Sequence, residues 1–291
     1  MGTRTLYKED WFSFEHVRAL EDYTCAEFGC SFNSVQSATQ ACLELLGARS
    51  APLPVIMSVT APPDTLSGVL RAGGHPLLLD IDEDTLQIDE KALKETIAIL
   101  EEENNIPLVL LTRPLGKPIS DSMLEIIKEQ PSILDARLLP HPDLSVDDLT
   151  CTFNIFDLTP VCGTGALVIH RFLKQIEQLK HVRSGPMGLG ASLPELDAKF
   201  ALKELKALGD RATKSPISWF KVEDADEAVK LLNSNDIESA KAVVPLYILS
   251  EVKRRFQEEP EYPVAEKMSN KYICVSSDED VVEEVKGILN A

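Results

Sequence analysis

Positive charge is scarce in this sequence. Forty-seven acidic residues face 29 lysines and arginines, a formal net charge of -18. Nucleic acid and anionic membrane surfaces both need a basic face, so neither is expected as a partner. The charge itself reads as a solubility device. No run approaches the ~18 consecutive apolar residues of a membrane span. The opening segment, Met1–Asp10, lacks the hydrophobic core of a secretory signal. A cytoplasmic location is the expectation.

Several site signatures are missing as well. None of the six cysteines (Cys25, Cys30, Cys42, Cys151, Cys162, Cys274) forms a Cys-x-x-Cys pair. Reduced, mostly buried thiols are expected, and no ligand spacing supports a metal at Cys25 and Cys30. The histidines at 16, 75, 141, 170 and 181 make no i, i+4 pair. No Gly-x-Ser-x-Gly elbow occurs. Asp80-Ile-Asp-Glu-Asp84 begins like a calcium loop, but Thr85 stands where that loop needs glycine and Lys91 where it needs glutamate. Gly163-Thr-Gly165 is too short to cradle a phosphate and reads as a turn. There is no internal repeat.

What remains is ordinary for a globular protein: 44% hydrophobic and 26% charged residues over 291 positions, enough for one large core or two moderate ones. Short apolar runs at Pro54–Met57, Pro76–Asp80, Pro107–Thr112 and Ser132–Asp135 read as strands buried on both faces. Leu93, Ile97 and Leu100, then Leu124 and Ile127, recur at helical spacing. Alternating strand and helix predicts an α/β fold with a mostly parallel sheet. Strands near 150–156 and 165–170 leave no room for a helix between them and predict an antiparallel hairpin. Asp80 and Asp135 then fall at carboxyl ends of strands, where such sheets bind ligands. Residues 194–208 predict a helix with Leu196, Phe200, Leu205 and Leu208 on one stripe, and 209–216 a linker. A strand near 217–222 and helices near 226–233, 246–256 and 278–289 follow. The expected division is a large domain, 1–208, and a smaller one, 209–291.

The segment Cys151-Thr-Phe-Asn-Ile-Phe-Asp-Leu-Thr159-Pro, followed by Cys162-Gly-Thr-Gly-Ala-Leu-Val-Ile-His170, resembles part of the DegT/DnrJ/StrS family of pyridoxal-phosphate (PLP) nucleotide-sugar aminotransferases. There the family reads Phe-Ser-Phe, three residues, lysine, then a glycine-rich hairpin. Val69–Asp89 looks like the family's Asp-Ile-Asp strand passage. Arg183-Ser-Gly-Pro-Met-Gly, Pro194-Glu-Leu-Asp-Ala and Pro263–Ser269 are similar to its later landmarks, in order. The resemblance implies a fold type I PLP-transferase-like large domain with a truncated C-terminal α/β domain.

It also implies where the chemistry departs. Thr159 occupies the place of the lysine that forms the Schiff base, and no lysine lies between Lys128 and Lys174. Ser34-Val35-Gln36 matches the Ser-Gly-Thr turn that cradles the cofactor phosphate, with a β-branched residue where close backbone approach is needed. Pro62 matches the aromatic residue that stacks on the pyridine ring, Asn154 the phosphate-binding serine, and Ala191 a loop asparagine. Asp135 matches the partner of the pyridine nitrogen, though a strand-end carboxylate also serves as a cap. Asn154 and Thr159 read as local hydrogen-bonding groups, and Asp135, Asn154 and Gln36 as a vestigial cofactor set. No catalytic residue is assigned.

The expectation is a non-catalytic homologue of sugar aminotransferases, a binding or assembly partner in nucleotide-sugar or polysaccharide biosynthesis. It would act as a homodimer or as a heterodimer with an active paralogue. No cofactor or metal is expected. The alternatives are an active PLP enzyme, including one holding PLP without a Schiff base, and a small-molecule binder in the old pocket.

Overall fold

The computed structural model describes residues 15–23, 28–48, 53–136, 152–209, 217–248 and 261–289. Seven strands form the main sheet: β1 (Phe28–Phe32), β2 (Pro54–Ser58), β3 (His75–Leu79), β4 (Leu108–Thr112), β5 (Ser132–Asp135), β6 (Thr152–Asp157) and β7 (Ala166–His170). Their spatial order is β1-β7-β6-β5-β4-β2-β3. β3, β2, β4, β5 and β6 run parallel, and β7 runs against both β6 and β1. The carboxyl ends of β2, β4, β5 and β6 therefore share one edge, with Ser58, Thr112, Asp135 and Asp157 as their last residues.

Burial follows position in the sheet. Every residue of the central β5 is buried, whereas β3 alternates because it is an edge strand; the expected two-faced burial fails there. α2 (Val35–Leu45) packs against β1, β7 and β6, and α3 (Pro63–Arg71) against β3. They meet at Gly68, where a Cβ would lie 2.7 Å from the Gln36 carbonyl oxygen and 2.7 Å from Thr39 Cβ. Any side chain there would push α3 off α2. α4 (Glu90–Glu102) buries Leu93, Ile97 and Leu100, and α5 (Asp121–Ile127) buries Met123 and Ile127. Each such side chain contributes roughly 1.5–3 kcal/mol when fully buried. Asp89 and Ser120 cap these helices by accepting from the amides of Ala92 and Met123, each cap worth roughly 1 kcal/mol.

Between β6 and β7 the chain makes one helical turn, α6 (Thr159–Cys162), which ends at Gly163 with φ 79°. The expected direct hairpin thus contains a short helix, and the antiparallel pairing stands. α1 (Glu15–Glu21), α7 (Leu173–Ser184) and α8 (Glu195–Leu208) complete the large lobe. α8 corrects the expected stripe. Its buried face is Ala198, Ala201, Leu202 and Leu205, while Leu196 and Phe200 are 61% and 48% exposed. Leu196 and Leu205 are nine residues apart, which at ~3.6 residues per turn places them on opposite sides of the helix.

Beyond α8 a second sheet has the order β8-β10-β9: β8 (Ile217–Lys221), β9 (Ser239–Lys241) and β10 (Tyr272–Ser276), all antiparallel. α9 (Ala225–Asn233), α10 (Pro263–Ser269) and α11 (Glu279–Leu289) accompany it. The helix expected at 246–256 is a 3-10 turn at Leu246–Ile248, and its remainder lies outside the described residues. Val243, Leu246, Tyr262, Ala265 and Met268 belong to the same core cluster as Val55 and Met57. Asp80, at the end of β3, accepts from the amides of Val264 and Ala265 at 3.0 and 2.9 Å. It caps α10 and ties the lobes together, so its strand-end carboxylate faces protein.

Candidate functional site

The carboxyl edge of the main sheet is where the fold assembles its polar groups. Asp135 is fully buried at the end of β5. Thr65, the third residue of α3 and equally buried, donates its hydroxyl to Asp135 Oδ2 at 2.5 Å. The close α2–α3 contact at Gly68 fixes this helix, and with it the hydroxyl, beneath the strand end. Asn154 lies earlier in β6, paired across from Leu134, and its Nδ2 donates to the Thr152 carbonyl at 3.3 Å. Gln36 is half-buried in the first turn of α2. Thr159 is exposed at the start of α6, where its backbone amide donates to Asp157 Oδ1 at 2.9 Å. No hydrogen bond links Asp135, Asn154, Gln36 and Thr159 with one another.

These groups do not fit a PLP molecule. Neither β6 nor the α6 turn after it carries a lysine. Val35 is buried in the core where a phosphate cradle needs open backbone, and Ser34 caps α2 by accepting from the Ser37 amide at 3.1 Å. Pro62 presents no ring face of an aromatic kind. Ala191 is buried and exchanges only backbone hydrogen bonds, with Asn33 and Arg183. Arg183 itself is spent on structure. Its Nη1 donates to Glu21 Oε1 and to the Ser31 carbonyl, both at 2.7 Å, while Lys180 reaches Glu21 Oε2 at 2.8 Å. Burial alone would raise the Glu21 pKa, but Arg183, Lys180 and the Ser31 amide outweigh it and hold the carboxyl below its usual value.

A cavity of about 300 Å³ opens at the same edge, between the two lobes. The loops after β2 and β4 supply Pro62 and Arg113, the end of β6 supplies Asp157, and the second sheet supplies Trp219, Lys241 and Cys274. Two wall residues, Leu86 and Leu115, hold left-handed backbone conformations with φ 61° and 56°. A leucine rarely adopts that region, and such outliers concentrate at functional sites. The turn through Leu115 and Gly116 closes on Arg113, whose carbonyl accepts from the Gly116 amide. Sequence reasoning missed Arg113, because an arginine after a buried strand is unremarkable until the topology brings three strand ends around it. Lys241 is paired with Asp226 at 2.8 Å, and Lys117 donates to the Asp84 carbonyl near the Trp219 ring.

The remaining candidates are structural. Cys30 and Cys42 are buried free thiols, and burial pushes Cys30 up to about 12. Cys162 and Cys274 are partly buried and also raised by burial. Cys25, Cys151 and His141 lie outside the described residues. Among the described residues no group of three acidic, histidine or cysteine side chains could hold a metal. Asp82 instead organises its own turn by accepting from the amides of Asp84 and Thr85. No described helix is long and apolar enough to cross a membrane.

A model of the DegT/DnrJ/EryC1/StrS aminotransferase family matches residues 6–107, about a third of the chain. No curated protein matches it in sequence. Solved structures do match in fold. One is a DegT/DnrJ/EryC1/StrS aminotransferase from Brucella abortus, with TM-score 0.75, 17% identity, and 100% of this chain on 90% of that one. Another is a Helicobacter pylori aminotransferase involved in pseudoaminic acid biosynthesis, with TM-score 0.76, 17% identity, and coverage of 100% and 92%. A third is the E. coli GDP-4-keto-6-deoxy-D-mannose-3-dehydratase with bound hydrated PLP, with TM-score 0.75, 15% identity, and coverage of 94% and 91%. The chain therefore resembles the DegT/DnrJ/EryC1/StrS aminotransferase family in sequence over its first third, and shares the fold of that family's sugar aminotransferases along nearly its whole length.

Proposed function

We propose that this chain is a non-catalytic homologue of PLP-dependent sugar aminotransferases that serves as a binding or assembly partner in nucleotide-sugar or polysaccharide biosynthesis. The observation that carries the reading is Thr159. It stands exposed at the end of β6, where the resemblance requires the Schiff-base lysine, and no lysine occurs from residue 129 to 173. The Thr65–Asp135 hydrogen bond supports it, since the carboxylate matched to the pyridine partner receives a hydroxyl of the chain's own. Incubation with PLP, borohydride reduction and peptide mapping test it. The expected result is no stoichiometrically labelled residue and no visible band. One specifically modified lysine overturns the reading.

A second reading, an enzyme holding PLP without a covalent link, draws on the dehydratase neighbour and its hydrated PLP. It requires PLP to survive purification unbound to lysine, and the absorbance scan separates the two. The assembly part of the proposal rests on surface. Leu196 and Phe200 are exposed on one side of α8, and Met187, before it, is 86% exposed. An apolar face of this kind suits a second copy or an active paralogue. An obligate pairing would bury roughly 2,000 Å² or more.

A further inference from the structure

We propose that the cavity between the lobes is an oxyanion site, in which Arg113 anchors the phosphate or carboxylate of a small polar metabolite. Among the described residues the Arg113 side chain makes no ion pair and no hydrogen bond, and its Nε is buried without an acceptor. Burial lowers its pKa, but an arginine stays charged in a protein. A half-buried guanidinium with no acceptor is costly, and its five donors are arranged to grip a planar carboxylate or a phosphate face.

The surroundings narrow the ligand. Lys241, also in the wall, adds positive potential while anchored to Asp226. Trp219 and Leu115 supply apolar wall, and Asp157, which accepts from the Thr159 amide, borders the space. At about 300 Å³ the space is at the small end of ligand sites. The fitting class is an anion of modest size. The strained backbone at Leu86 and Leu115 shapes two sides of this space.

This inference stands apart from the non-catalytic reading, because no group matched to PLP other than Pro62 lines the cavity. The test is calorimetric titration of the full chain with inorganic phosphate, and separately with succinate, at constant ionic strength balanced by chloride. The wild-type protein is expected to bind at least one of them. A response to phosphate alone identifies a phosphorylated metabolite, and a response to succinate alone a carboxylate. Arg113→Gln is expected to lose roughly tenfold or more in affinity. Arg71→Gln, at an exposed position on α3, is expected to change nothing. Circular dichroism and the unliganded melting temperature check that each variant folds. If Arg113→Gln does not fold, Lys241→Gln is expected to weaken binding severalfold through lost potential. Binding of neither anion, undiminished binding by the folded Arg113 variant, or equal loss in Arg71→Gln overturns the proposal. A visible PLP band would overturn the non-catalytic reading and leave this result standing.

Discussion

Thr65 and Asp135, seventy residues apart, meet in a buried 2.5 Å hydrogen bond at the carboxyl edge of the sheet. A carboxylate that the family resemblance assigns to a cofactor ring is thereby part of the chain's own packing. Removing either partner leaves a buried polar group short of a contact, at about 1–3 kcal/mol. Thr65→Val and Asp135→Asn should each lower stability by that order in urea denaturation. The double variant should lose less than the sum, with a coupling of about 0.5–3 kcal/mol. Strict additivity would show that the contact carries no energy.

Thr159→Lys alone should not create a transaminase. Val35, Pro62 and Ala191 remain, and site residues act as a unit. Single-turnover assays with PLP and an amino donor should show no keto product. Measurable turnover would mean that the decay of the site is confined to one position.

The Glu21–Arg183 pair is 5% and 11% exposed and joins α1, β1 and α7. Breaking a buried pair from one side costs about 3–5 kcal/mol. Arg183→Leu should therefore be among the most damaging single changes. Its pH dependence has a definite sign. Glu21 is held below its ordinary value in the folded chain, so its contribution is present above pH about 4.5 and is lost as pH falls below that. Denaturation midpoints at pH 7 and pH 4 check both statements.

His170 produces a second acid-labile step at higher pH. It is buried between Phe153 and Phe172, and its Nδ1 accepts from the Phe172 amide at 3.0 Å. Burial, helped by Arg171, pulls its pKa down to about 4 from the ordinary 6.5. The unfolded chain takes up a proton first, so stability is full above pH 6.5 and declines toward pH 4. His170→Leu should flatten that decline in thermal melts across the range. An unchanged slope would assign the decline to other groups.

Much of the large lobe was legible because its strands are short apolar runs and its helices repeat at 3.6 residues. Leu93, Ile97 and Leu100 behave as that periodicity dictates. β1 was not legible, since Phe28-Gly-Cys-Ser-Phe32 alternates over only five residues, has no β-branched residue and is defined by pairing with β7. β10 was missed despite its readable Tyr272-Ile-Cys-Val run. Leu196 and Phe200 misled because apolarity at i, i+4 marks a face without saying what covers it. At the site, Thr159 was informative from sequence alone, whereas Thr65 and Arg113 acquire meaning only from the crossovers that bring distant strand ends together.

Asp80 capping α10 from the end of β3 bears on how the molecule comes apart. The second sheet cannot swing away while the Val264 and Ala265 amides remain on that carboxylate and Tyr262, Ala265 and Met268 remain among the side chains of β2. Heat should thus melt both lobes in one calorimetric transition. In Asp80→Ala the seam between them becomes the first place a protease can enter.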